Sequence, residues 1–360
     1  MTSATTATQT DFDFDAMLQT IKDKQWSLAD IDWDAPGAET MTDELRAKMQ
    51  PFMADLVWIE HVGARGFASL AKKAPTPTIQ RIYEYFHAEE QKHANAELAL
   101  MKRWGMLDED GNPPEPNINV RLAIKTLDDF GDSMPLTGLA TLIPLLECAL
   151  DGALVKFLLE EVSDPVCHEV FRHINSDEAR HITVDFQVLE LIGAGPLHQL
   201  LIESASNLKP QVVLGLIVVF TPLINKMRDN IVAMGLPEQK LYNAVKRFNT
   251  IGSRGEYTKR IPAYHVLRAQ ARMVVDRAHP YHRFLADPLV RITSYVPARV
   301  LGPARGHPAP DADPPHGPRG GRSPRRSNLL INGGIASPYG LAMTEATWTF
   351  FSPAQLPTIT

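Results

Sequence analysis

The chain has 360 residues, 44% of them hydrophobic and 22% charged, with a formal net charge of -6. That length can build one large core or two ordinary domains, and the acidic balance argues against nucleic acid as a partner, because phosphate binding favours a basic surface. Cys148 and Cys167 are the only cysteines; they exclude a disulfide framework and any four-cysteine iron or zinc site, and they fit a reducing cytoplasm.

Residues 1–15 are rich in Thr and Asp, with neither a basic start nor an apolar run, and read as a flexible polar leader rather than an export signal. Residues 16–296 read as one all-α domain, since apolar residues recur at helical spacing and strand-like alternation is scarce. The first long helix is expected from about Pro51 to Ala74, stopped by Pro75 and Pro77. A second runs from about Thr78 to Trp104 and closes at Gly105. The connection from Gly105 to Pro135 opens as a loop (DEDGNPPEPN), with a short helix expected over Val120 to Phe130. A third helix is expected over Leu136 to Val162, and a fourth from Pro165, a residue suited to a first turn, to Gly193. Two helical hairpins joined by one long crossover differ from an up-down bundle, whose loops are all short.

Residues 196–296 continue as extra helices over Gln211 to Met234, Glu238 to Phe248 and Ala263 to Ala278. The most apolar stretch, Val212 to Ile224, is too short to span a bilayer and is interrupted by Pro222. It reads as a buried helix, with contact to a lipid substrate or a membrane surface as the alternative; no transmembrane segment is expected. From Pro297 to Asn328 the chain fills with Pro, Gly and Arg and reads as a disordered linker. Residues 329–360 are assigned no structure.

Four places within residues 51–193 carry chemistry. Glu60 sits in an apolar run of the first helix, and Glu147 in an apolar run of the third. The second helix carries Glu90-x-x-His93, and the fourth carries Glu178-x-x-His181. Each Glu-x-x-His puts a carboxylate and an imidazole about one turn apart on one helix face, where both can reach a single metal. A lone glutamate in an apolar helix is costly to bury without a partner, and a metal pair supplies one. Four carboxylates and two histidines are the ligand set of bundle di-iron and di-manganese sites.

Spacing sharpens the case. Glu60 lies fourteen residues before Ala74, and Glu90 thirteen after Pro77. Both therefore fall about 20 Å from the turn at ~1.5 Å per residue. The second hairpin repeats this: Glu60 to Glu90 is a step of 30 and Glu147 to Glu178 a step of 31. A third Glu-x-x-His, Glu84 to His87, breaks that spacing and lies about 120° round the helix from Glu90, so it is set aside.

These residues resemble the ferritin-like di-iron carboxylate superfamily, which includes ribonucleotide reductase small subunits, bacterial multicomponent monooxygenases, acyl-carrier-protein desaturases and ferritins. Asp177-Glu178-Ala179-Arg180-His181 is similar to the D-E-x-R-H signature of the oxygen-activating members, and Glu89 to His93 is a conservative variant. The resemblance covers roughly Pro51 to Gly193. It implies a ferritin-like four-helix bundle holding two iron ions (Mn/Fe as an alternative pair) with dioxygen as co-substrate. It also implies that Asp177 bonds the far nitrogen of His93, and Glu89 that of His181. N-oxygenases of this kind carry an additional histidine one turn before the last Glu-x-x-His; Ile174 holds that position here, with His173 one residue out of register.

Other residues are weaker candidates. Glu97 and Asp185 each lie seven residues after a ligand glutamate, as a proton route or as inner caps of the bundle. Tyr83 is read as radical or proton chemistry, or as core; His87 and His173 as extra ligands or ordinary histidines. Cys148 points off the ligand face and reads as a small core residue. Gly63, Ala64 and Gly66 leave room for dioxygen or substrate, or for close helix packing. The function expected is an oxygenase or desaturase that hydroxylates, desaturates or N-oxygenates a small organic molecule, an acyl chain among the options. No flavin, nicotinamide or rubredoxin-like motif occurs, so electrons must come from a separate ferredoxin or reductase. A homodimer is a compatible assembly. The rival readings are a ferroxidase without organic substrate and a ribonucleotide-reductase-like radical protein.

Overall fold

The computed structural model of the chain describes residues 12–150, 158–159, 162–207, 209–235, 237–302 and 304–306, and among them it is all-α, with no strand. The helices are α1 (Phe14–Asp23), α2 (Asp43–Ala71), α3 (Pro77–Arg103), α4 (Ile118–Phe130), α5 (Leu136–Leu150) and α6 (Pro165–Gly193). Then follow α7 (Leu197–Asn207), α8 (Pro210–Gly215), α9 (Thr221–Ala233), α10 (Gln239–Arg254), α11 (Pro262–Val275) and α12 (Asp287–Ser294). A π-helical stretch, Leu216–Phe220, joins α8 to α9.

α2 pairs with α3 and α5 with α6, while α2 also meets α5 and α3 meets α6. The four helices thus close a ring around a shared interior. α4, in the long crossover, lies on α2; α10 and α11 pack against α5 from outside. No described helix is long and apolar enough to cross a membrane.

Local chemistry fixes where the long helices start and stop. α3 is capped by Thr76, whose hydroxyl accepts from Ile79 N at 3.2 Å, with Pro77 in the first turn. It ends on Lys102 and Arg103, which suit the negative end of the dipole, and on Gly105 at φ +66°. α6 begins on Asp164, which accepts from Val166 N at 3.0 Å. Asp164 is buried and also accepts from Arg103 Nε at 2.8 Å and Trp104 Nε1 at 2.9 Å. Burial pushes its carboxyl up, but these donors outweigh that and hold it below its ordinary value.

One carboxylate thereby ties the end of α3 to the start of α6, which sets the relative depth of the two helices. His93 lies ten residues back from Arg103 and Asp177 twelve on from Pro165, about 15 and 18 Å along antiparallel axes. The two Glu-x-x-His turns meet at one level.

Several boundaries differ from expectation. α2 starts at Asp43, not near Pro51: Thr42 caps it through Leu45 N at 3.2 Å, Asp43 and Glu44 favour the first turn, and exposed Pro51 is carried inside the helix. The leader expected to Asp15 gives way to α1 at Phe14, capped by Asp13. α5 is described to Leu150, and most of its expected continuation to Val162 lies outside the described residues. The expected helix Gln211 to Met234 is the α8, π-stretch and α9 run; α7 and α12 are additional, and with Leu197, Leu201 and Ile202 of α7 and Ile292 of α12 exposed, no continuous buried apolar face marks them. Of the linker expected from Pro297, the first residues are docked, not disordered: Gly302 O accepts from Arg121 Nη1 at 2.6 Å and Arg305 O from Arg65 Nη2 at 2.7 Å. Residues 307–360 lie outside the described residues.

Candidate metal centre

Glu60 (α2), Glu90 and His93 (α3), Glu147 (α5), and Glu178 and His181 (α6) all point into the ring interior, none more than 4% exposed. Two clusters result. In the first, one ligand atom from each of Glu60, Glu90, His93 and Glu178 lies within 4.8 Å of the others. In the second, the same holds for Glu90, Glu147, Glu178 and His181. Each cluster has three carboxylates and one imidazole, and Glu90 and Glu178 belong to both. His93 Nδ1 stands 3.2 Å from Glu178 Oε1 and 3.5 Å from Glu60 Oε2. His181 Nδ1 stands 3.3 Å from Glu90 Oε1 and 3.6 Å from Glu147 Oε2.

The outer nitrogens are held crosswise. His93 Nε2 lies 3.0 Å from Asp177 Oδ2 on α6, and His181 Nε2 lies 3.0 Å from Glu89 Oε2 on α3. A carboxylate only accepts, so each Nε2 carries the proton and donates, and each Nδ1 lone pair faces inward. Arg180 crosses between the two supports, donating to Asp177 and, at 3.4 Å, to Glu89 Oε1. Phe86 and Phe67 wall the His181 ring at centroid distances of 4.1 and 5.1 Å.

The inward atoms are the ones left unsatisfied. Glu60 Oε2, both Glu90 oxygens, Glu147 Oε2, Glu178 Oε2, His93 Nδ1 and His181 Nδ1 are buried without a hydrogen-bond partner. Native interiors rarely leave such groups orphaned, and seven converging on one space fit cations. Four carboxylates balance two divalent ions, and mixed imidazole and carboxylate donors suit divalent transition metals.

Without cations, protons must do the balancing. Burial, then Glu60 and Glu178, hold Glu90 far above the ordinary carboxyl value; burial, then Glu178 and Glu90, do the same for Glu147. Burial would lower both imidazoles, but the surrounding carboxylates, Asp177 foremost for His93 and Glu178 for His181, raise them well above the ordinary value. Glu178 goes the other way: His181 first, with Glu147 and His93 beside it, outweighs burial and holds it low. Asp177 is likewise lowered against burial, by Lys92 and His93.

The weaker candidates separate. Glu97 and Asp185 are buried with no hydrogen-bond partner on their carboxyl oxygens. Burial and then Glu60 raise Glu97, and burial pushes Asp185 up to about 7. Tyr83 is fully buried and close enough to Asp185 for each to shift the other, though no well-formed hydrogen bond joins them. It packs on Phe67 and Phe86 and belongs to neither cluster. His87 bonds Gln91 Nε2 at 3.0 Å, and His173 stacks on Trp26 at 4.9 Å; neither joins a cluster. Cys148 is buried in the apolar core.

The small residues of α2 have distinct uses. A Cβ at Gly63 would overlap Glu90 Oε2 and stand 2.9 Å from Glu90 Cδ, so this glycine makes room for a cluster carboxylate. A Cβ at Gly66 would overlap Ile143 Cδ1 and stand 3.0 Å from its Cγ1, so that glycine serves α2–α5 packing.

Sequence reasoning missed the N-terminal support. Trp26 Nε1 donates to Asp177 Oδ2 at 2.8 Å, and Gln25 Nε2 to Glu89 Oε1 at 2.6 Å. Lys92 Nζ lies 4.9 Å above the Trp26 ring and 3.5 Å from Asp177 Oδ2. Gln25 and Trp26 sit in an irregular connection, where periodicity carries no signal. Arg180 was visible as the arginine of the D-E-x-R-H pattern, but its bridging role was not.

No protein-family model, no curated protein and no solved structure matches the chain.

Proposed function

We propose that the chain is a di-iron oxidoreductase of the ferritin-like kind, activating dioxygen to hydroxylate, desaturate or N-oxygenate a small organic substrate. The observation that carries this reading is the pair of buried clusters sharing Glu90 and Glu178, with their ligand atoms otherwise unsatisfied. In it, Glu60 and His93 would hold one metal and Glu147 and His181 the other, with Glu90 and Glu178 available to both. A reduced iron pair held by such ligands supplies electrons to dioxygen.

The chain's own residues do the rest. Asp177 and Glu89 keep a proton on each Nε2 and fix the plane of each ring. Arg180 holds those two carboxylates in place by spanning them. Phe67 and Phe86 keep water from the His181 side. Asp185, raised to about 7 beside Tyr83, can hold or release a proton near neutrality. The chain carries no motif for a flavin, a nicotinamide or an iron–sulfur centre, so the reading requires a ferredoxin or reductase as electron donor.

The test is oxygen uptake by the anaerobically iron-loaded, chemically reduced protein, compared with Glu90→Ala/Glu178→Ala. Uptake in the wild type that disappears in the double variant supports the reading. Iron bound at two per chain without oxygen uptake would leave a metal protein of another purpose.

A further inference from the structure

Outside the four-helix ring lies a cavity of about 360 Å³, walled by α2, α4, α5 and the α8–α9 run. That is more than twice the roughly 150 Å³ that admits benzene, and within the range of small-molecule sites. Thr126 and Ser133 are its only polar lining side chains, and none is charged. The π stretch Leu216–Phe220 supplies part of the wall, an irregularity often found at functional sites.

The cavity has a wet end and a dry end. Phe130, 52% exposed, and exposed Ser133 mark the mouth, at the turn from α4 to α5. Val62, Ile143, Leu146, Phe220 and Leu223 are buried and form the apolar end. That end borders the metal centre along the chain: Val62 precedes Gly63, against which the Glu90 carboxylate lies, and Leu146 precedes Glu147. Ile143 seats in the notch left by Gly66.

We propose that this cavity binds the hydrocarbon body of a small amphiphile, apolar end inward, with its polar group left at the Phe130–Ser133 mouth. A polar group sent inward would lose its water and find no partner, whereas each methylene sent inward leaves water for an apolar wall. Resting on the di-iron reading, the substrate carbons presented to the ligand clusters are those remote from the polar group.

The experiment is calorimetric titration of the full chain with straight-chain primary alcohols from hexanol to decanol. Burial at about 0.8 kcal/mol per methylene predicts affinity rising about 3- to 4-fold per carbon. The decane diol with a hydroxyl at each end should bind at least tenfold more weakly than decanol. Gly215 lines the cavity, and a Cβ there meets nothing within 4 Å, so the backbone position accepts a side chain and Gly215→Leu is the variant chosen to fill the space. It should weaken decanol binding at least tenfold while melting temperature and metal content hold, and Ala123→Leu should weaken it likewise from the α4 wall. Absence of decanol binding, a flat chain-length series, a diol that binds equally well, or binding indifferent to both variants would overturn the proposal. Metal content measured on the same samples separates the two readings. Two metals per chain without alcohol binding sinks the cavity alone; alcohol binding without metal retains the cavity and removes the presentation to the clusters.

Discussion

Gly63→Ala isolates the metal centre from the stability of the fold. The new methyl would stand 2.9 Å from Glu90 Cδ, where ordinary contact begins at 3.4 Å, so the carboxylate must retreat by at least 0.5 Å. Metal–ligand distances tolerate only about 0.2 Å, and Glu90 belongs to both clusters. Affinity for both metals should therefore fall, by about 10- to 100-fold, the range seen when a ligand loses its support. Folding should not suffer: the atom in the way is the end of a side chain, and alanine within a helix is favoured over glycine by about 1 kcal/mol. The assay is iron titration alongside thermal unfolding of the metal-free protein. Gly66→Ala is the control, because its methyl meets core Ile143; it should cost about 1–3 kcal/mol by overpacking and leave metal binding intact. Unchanged iron affinity in Gly63→Ala would refute the placement of Glu90 as a shared ligand.

Asp177→Asn and Glu89→Gln, which keep size but remove the charge that orients each imidazole, should each weaken metal binding about 10- to 100-fold with little loss of helical content, read by titration and circular dichroism. Asp164→Ala removes the α6 cap, strands the Trp104 indole N–H and leaves Arg103 only its bonds to Trp33 O and Ala35 O; urea unfolding should show a loss of about 2–4 kcal/mol, and a loss under about 0.5 kcal/mol would contradict its role as the tie between α3 and α6. In the metal-free protein Glu90, Glu147, His93 and His181 are all raised, so the folded state keeps protons that the unfolded state releases. Their contribution is complete below the ordinary values of 4.5 and 6.5 and is lost as pH rises toward the raised values. The apo melting temperature should fall as pH climbs through neutrality, while metal affinity rises because those protons must leave; parallel melting curves of apo and metal-loaded protein across that range would contradict this.

The long helices and the six inward residues were legible because they obey period and spacing. Matched steps from Glu60 to Glu90 and from Glu147 to Glu178 require only helical rise and short turns to bring four carboxylates to one level. Pro51 misled because a proline suits the first turn of a helix, whereas here it is the ninth residue of α2, carried inside at an exposed position, and Thr42 supplies the start. Trp26 and Gln25 were illegible for a different reason. Their contacts with Asp177 and Glu89 span 151 and 64 residues, and nothing in an irregular segment announces a partner that far away. The cavity, too, depends on how α4 and the π stretch lie on α2 and α5, which a helical pattern alone does not specify.

The pair of clusters sharing two carboxylates is tested most directly by counting metal per chain across four proteins. Wild type should bind two iron ions, because its ligands divide into two groups. Glu60→Ala and Glu147→Ala, each touching one group, should each retain one tightly bound ion, and Glu90→Ala/Glu178→Ala should retain none. No metal in the wild type after anaerobic loading, or equal loss in all three variants, would contradict the two-centre account.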